Sequence, residues 1–288
     1  MSAPGPETRR LRVFQSLWAM QPHDQTGERL PLDRIAGRVA EAGYHGLAID
    51  LGAADVETAR AIRPHLEREG LTPLIVAFPK SVEGLRETLE MAADFGAPYV
   101  NVVGQVFPLS VEGAIPVLRR WIEMADQVGM PVQFETHRNC ITNDLFSTLQ
   151  MLDAVPEMRL AGDFSHYIVD REFKLPLAEW ERGLLSRCIQ RCDSFQGRVA
   201  SRQQVQLQIG FAQHAPWVAL FESLWEEGLA SWRRRNARGD LVFLCELGPP
   251  EYAMTGADGR EMSSRWDEAL AIRAKVEAIW ARLEAAAP

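Results

Sequence analysis

The chain has 288 residues, 47% of them hydrophobic and 24% charged, with 21 Gly and 17 Pro, a composition that excludes disordered and collagen-like classes. Its 31 Lys and Arg against 39 Asp and Glu leave a net charge of −8, which argues against a surface that tracks a polyanion. There is no long uninterrupted apolar run, MSAPGPETRR lacks the apolar centre of an export signal, and the four cysteines form no CxxC pair, so a cytoplasmic protein without nucleic-acid or membrane partners is expected.

Hydrophobic period and punctuation then predict one repeated theme, a short apolar strand followed by a longer helix. Leu11 to Trp18 is the first strand, and a polar loop leads to a helix over Leu32–Ala42 that stops at Gly43. Tyr44 to Leu51 is followed by a helix over Asp55–Glu69 ended by Gly70, and Leu71 to Phe78 by a helix that Ser81 caps and Gly96 ends. Tyr99 to Val106 precedes a helix from Ser110 to Val128, and Pro131 to His137 one over Asn143–Ala154. Arg159 to Ser165 precedes Leu177–Arg187, and Asp193 to Ala200, the least regular strand, precedes Trp217–Asn236. Arg233, Arg234 and Arg235 read as the solvated end of that helix. Leu241 to Glu246 and Ser263–Ala285 complete eight strands and eight helices.

Strands apolar on both faces, with no GxGxxG after the first and no GxxxxGK[ST] anywhere, fit a single closed (β/α)8 TIM barrel, an α/β fold, over 1–288 better than an open nucleotide-binding sheet. The active site of such a barrel lies where the strands end. Polar residues terminate the last four: Glu135 with His137, Asp163 with His166, Gln196 with Arg198 and Arg202, and Glu246. Three carboxylates on one rim repel unless a cation joins them, and an oxygen-rich set suits one divalent metal ion, Mn²⁺ or Mg²⁺, or Co²⁺ or Zn²⁺ with an imidazole. Arg198 and Arg202 are candidate oxyanion anchors, His137 and His166 candidate substrate contacts, and Trp18 either a sugar-stacking platform or barrel filling. Gln15, Asp50, Asn101 and Gln105 are weaker candidates on the earlier strands.

FETHRN, DFSH, FQGRV and CELGPPEY resemble the sugar phosphate isomerase/epimerase family, the xylose-isomerase-like barrels that include ketose 3-epimerases, hydroxypyruvate isomerase and inosose dehydratase. The resemblance implies one divalent metal held by Glu, Asp, His and Glu, with two glutamates flanking the substrate. Glu135, Asp163 and Glu246 fall on family positions, and His166 matches the family's substrate-binding DxxH histidine. Gln196 stands where the family has its metal-binding histidine, so either its carbonyl oxygen faces the metal, or His214 substitutes, or metal affinity is largely lost.

The expected chemistry is isomerisation or epimerisation of a sugar or related polyhydroxy carbonyl compound through an enediolate, with Glu135 and Glu246 exchanging a proton. The alternative is a dehydratase or lyase on the same scaffold with altered metal dependence. Two weaker readings are a phosphodiesterase like the endonuclease IV group, for which six histidines are too few, and a ligand-binding barrel without catalysis. The segments Gln21–Pro31 and Gln203–Pro216 are long enough to shape specificity, and Trp121, Trp225 and Trp232 are either core or the face of a homo-oligomer.

Overall fold

The structure, a computed structural model, describes residues 8–21 and 30–286. Its strands are β1 (Arg9–Ser16), β2 (Gly46–Asp50), β3 (Thr72–Ala77), β4 (Val100–Val102), β5 (Val132–Glu135), β6 (Leu160–Gly162), β7 (Cys192–Gly197) and β8 (Gly239–Cys245). They pair in parallel in chain order, and β1 pairs with β8, for example Leu11 with Leu241, which closes the barrel. Each of the eight expected strands is present with shifted ends: all stop short of the expected C-terminal residue, and β1, β7 and β8 begin one or two residues earlier than expected.

The helices are α1 (Leu32–Glu41), α2 (Val56–Glu69), α3 (Arg86–Phe95), α4 (Val111–Val128), α5 (Leu145–Ala154), α6 (Phe164–Asp170), α7 (Glu179–Ile189), α8 (Ala215–Arg235) and α9 (Arg265–Ala285). Asp55, Ser110 and Asp144 accept from backbone amides three residues on, the N-caps of α2, α4 and α5. Gly70, Gly96 and Gly129 end α2, α3 and α4 in the left-handed conformation, where a Cβ would be strained. The expectation of eight helices is corrected to nine α-helices among the described residues. The addition is α6, which begins at Phe164 inside the strand expected over Arg159 to Ser165; Asp163 stops that strand by accepting a hydrogen bond from the Ser165 amide at 2.9 Å and starting a helix.

The period of two along each strand sorts side chains into two cores. Leu241, Phe243 and Cys245 of β8 pack outward against the helices, while Val242 and Leu244 face the barrel interior with Phe14, Leu74, Val76 and Tyr99. Trp121, Trp225 and Trp232 are buried in the outer core, so they pack the helices and do not form an exposed face. One layer below the rim, Ser194 Oγ donates to Gln133 Oε1 at 2.5 Å, which closes the interior with a satisfied polar pair.

Glu268 in the first turn of α9 has a carboxyl pushed up to about 7, chiefly by burial, with Glu261 adding to the effect against contacts from Ser263 and Ile209. The folded state holds this proton more tightly than the unfolded chain. Its contribution to stability is therefore full below the ordinary value of 4.5 and is lost as pH rises through about 7. Glu268→Gln is expected to raise stability at pH 8 by about 1–2 kcal/mol and to leave it unchanged at about pH 4, read from urea midpoints at the two values.

Candidate functional site

Alternation carries five polar residues to the barrel mouth. Val242 and Leu244 face inward on β8, so Glu246, just past its end, follows them; Tyr99, just before β4, is followed by Asn101, and Gln133 on β5 by Glu135. On β7 the inward series runs Ser194, Gln196 and then Arg198. Gly197 between them has no room for a side chain, since a Cβ would lie 2.6 Å from Ile272 and 2.7 Å from Phe243. That tight outer contact seats β7 against α9 and β8.

Glu135, Asp163 and Glu246 bring carboxylate oxygens within 4.8 Å of one another, and all three side chains are buried. Asn101 Nδ2 donates to Glu135 Oε2, and Thr142 Oγ1 to the Glu135 carbonyl. Thr136 Oγ1 donates to the Asp163 carbonyl at 2.8 Å, which ties the β5 and β6 rims together. Arg198 is 1% exposed. Its Nη1 lies 3.4 Å from Asp163 Oδ2, its Nη2 lies 3.3 Å from Glu246 Oε2, and its Nε donates to the Glu246 carbonyl at 3.1 Å. Trp18 and Tyr252 meet edge to face with centroids 5.0 Å apart, and both lie against the Arg198 guanidinium.

Burial raises the Glu135 carboxyl well above its ordinary range, and the charges of Glu246 and Asp163 push the same way. Burial likewise pushes Glu246 up to about 8; Arg198 opposes this, and Asp50 and Asp163 reinforce it. Burial by itself would lower the Arg198 value, but Asp163 and Glu246 outweigh it and hold the guanidinium charged. Burial lowers His137 to about 4, and it lowers His166 too, with His137 and Arg198 adding to the effect. The two imidazole rings, 4.0 Å apart by centroid, are therefore neutral at pH 7, and Arg198 Nη1 lies 3.4 Å from His166 Nε2.

A cavity of about 440 Å³ opens onto these groups, with Glu135, His137, Arg198 and Glu246 on its floor and Trp18, Phe78, Lys80 and Tyr252 among its walls. Of the expected residues, Glu135, Asp163, Gln196, Glu246, His137, His166, Arg198 and Trp18 come together here. Arg202 does not: it lies beyond the end of β7 and pairs with Glu172 at 3.2 Å. His214 is also apart, near the Gln208 carbonyl at 2.8 Å and stacked on Phe211. Most of the expected specificity loop, residues 22–29, lies outside the described residues, whereas Gln206 in the later segment exchanges two hydrogen bonds with Gly248 at 2.9 and 2.7 Å and braces the loop after β8. Tyr252 and Lys80 are the residues that sequence reasoning passed over. Tyr252 closes the CELGPPEY motif, and that placement is the one signal for it.

The donor set fits a divalent cation. Asp163 Oδ2, Glu246 Oε2 and Gln196 Oε1 are buried without a hydrogen-bond partner, and hard oxygen donors from three carboxylates and an amide are what Mg²⁺ or Mn²⁺ takes. Gln196 Nε2 is likewise without a hydrogen-bond partner.

Among solved structures the chain is similar to a xylose isomerase-like TIM barrel protein from Mycobacterium smegmatis in complex with magnesium, at 13% identity and TM-score 0.61 over 97% of this chain and 98% of that one. It is similar to an L-ribulose 3-epimerase at 15% identity and TM-score 0.61, over 96% of both chains. The probable 3-DHS dehydratase AsbF of petrobactin synthesis from Bacillus anthracis aligns at 17% identity and TM-score 0.53, over 93% of this chain and 98% of that one. At such identities these likenesses show the fold alone. No curated protein sequence matches. The family model described as xylose isomerase-like TIM barrel matches residues 36–234, and the chain belongs to that family.

Proposed function

We propose that the protein is an isomerase or epimerase of a sugar or related polyhydroxy carbonyl compound, acting by proton transfer between two glutamates. The observation that carries this reading is the placement of Glu135 and Glu246 together on the floor of one polar, aromatic-walled cavity. An epimerase and a dehydratase among the structural relatives agree with proton abstraction next to a carbonyl as the shared step.

Glu135, Asp163, Gln196 and Glu246 are the residues that would hold a divalent ion, which when bound polarises the substrate carbonyl and an adjacent hydroxyl. The chain's own groups do the rest. Glu246 or Glu135, whichever is ionised, removes a proton from the carbon beside the carbonyl, and the other, protonated, returns one from the opposite side. Return to the same carbon inverts it, whereas return to the neighbouring carbon interconverts aldose and ketose. Asn101, by donating to Glu135 Oε2, leaves the other Glu135 oxygen for the proton. Neutral His137 and His166 supply uncharged contacts for hydroxyls beside the carboxylates. Trp18 and Tyr252 offer apolar surface to the C–H face of a sugar and limit water at the reacting carbon.

Incubation with Mn²⁺ and a panel of free ketoses, their phosphates and cyclic hydroxy-ketones tests this, read by chromatography with mass spectrometry. The expected product has the mass of its substrate and a new retention time. A product lighter by one water would replace isomerisation with dehydration, the second reading that the dehydratase relative supports.

A further inference from the structure

The strand that carries an amide at the expected imidazole position carries a guanidinium two residues later, on the same inward face. Arg198 Nη1 and Nη2 lie 3.4 and 3.3 Å from Asp163 Oδ2 and Glu246 Oε2, two of the three carboxylates that converge within 4.8 Å. Neither oxygen has a hydrogen-bond partner, so the guanidinium meets both at ion-pair distance only. The side chain is folded in, 1% exposed. Its Nε donates to the Glu246 carbonyl at 3.1 Å, and its Cζ lies 4.8 Å from the Tyr252 ring centroid.

We propose that Arg198 is a resident cation of the carboxylate cluster, competing with a divalent metal ion for Asp163 and Glu246, so that the metal binds only as the guanidinium is displaced. The proposal rests on the metal-assisted reading above and deepens it. With all three carboxylates ionised, they and one guanidinium sum to −2, so the cluster in that state still attracts a divalent ion. The ion must come within about 2.0–2.2 Å of oxygens that the guanidinium already faces. Arginine does not lose its proton at any pH the protein survives, so its repulsion of the ion is relieved only by movement. A neutral Gln196 in place of an imidazole weakens the competing side further. Arg198 is thus a positioning residue that holds Asp163 and Glu246 together before the metal arrives and sets how tightly the metal is held.

Calorimetric titration of Mn²⁺ into chelator-stripped, full-length protein tests this without turnover. Arg198→Gln removes the charge and keeps a donor; it is expected to bind Mn²⁺ on the order of ten- to a hundredfold more tightly than the wild type, whereas Arg198→Lys stays within a few-fold of it. The melting temperature of Arg198→Gln is expected to fall without metal and to rise with Mn²⁺ by more than that of the wild type. Wild type and Arg198→Gln binding Mn²⁺ equally would overturn the proposal and leave the metal-assisted reading standing. No Mn²⁺ binding by the wild type, Arg198→Gln or Gln196→His would overturn both. If Arg198→Gln does not fold, the wild type carries the test: the Arg198 Nε–H resonance in the nuclear magnetic resonance spectrum is expected to shift on Mg²⁺ addition, and an unmoved resonance at saturating Mg²⁺ contradicts displacement.

Discussion

Glu246→Gln is expected to lower turnover by about 10²–10⁴-fold, the usual contribution of a positioned general acid or base, with a smaller change in KM. Glutamine keeps the shape of the side chain, and the Arg198 Nε bond goes to the residue 246 carbonyl, so the backbone anchor survives the substitution. The variant also removes a buried negative charge that repels Asp50 and Asp163. Stability is therefore expected to hold or rise while activity collapses, as when an active site stores strain for function. On the proposed two-glutamate mechanism, the double variant is expected to cost little more than either single one. Steady-state kinetics with paired urea denaturation checks the split; equal loss of stability and activity would assign Glu246 a structural role.

The second large effect is expected at Arg265. Its side chain is 2% exposed, its Nε pairs with Glu261, also 2% exposed, at 2.9 Å, and its Nη1 and Nη2 donate to the carbonyls of Ala19 and Gln21 at 2.5 and 2.6 Å. This one guanidinium fastens the N-terminus of α9 to the segment after β1 that presents Trp18 to the cavity. Arg265→Leu strands the Glu261 carboxylate without this cation and leaves two carbonyls without these donors. The expected loss is about 3–5 kcal/mol, with KM raised as Trp18 loosens. Arg265→Leu/Glu261→Leu is expected to regain part of the loss, because it removes the carboxylate together with the guanidinium that faces it. Urea midpoints of the two variants decide it, and a loss under about 1 kcal/mol for the single variant would contradict the role.

The barrel was legible because each strand is short, apolar and punctuated, and Gly70, Gly96 and Gly129 mark helix ends by their left-handed backbone. Glu135 and Glu246 were legible for the same reason, each being a carboxylate at the end of an apolar run. α6 was not, since FSHYIV has the composition of a strand and only the Asp163 cap, a tertiary choice, makes it helical. Arg198 and Arg202 looked alike in the sequence. The inward alternation that brings Gln196 and Arg198 to the site lapses beyond Arg198, and Arg202 turns to Glu172. Tyr252 and Lys80 reach the cavity through loop paths that no residue period encodes.

Wash-in of deuterium from solvent tests proton transfer between Glu135 and Glu246 most directly. Turnover in D₂O of a substrate found by the panel is expected to place one deuterium at the carbon whose configuration or oxidation level changes, detected by nuclear magnetic resonance, with the rate suppressed in Glu135→Gln and Glu246→Gln alike. Product that carries no solvent deuterium at that carbon, formed at the wild-type rate by both variants, would contradict the account.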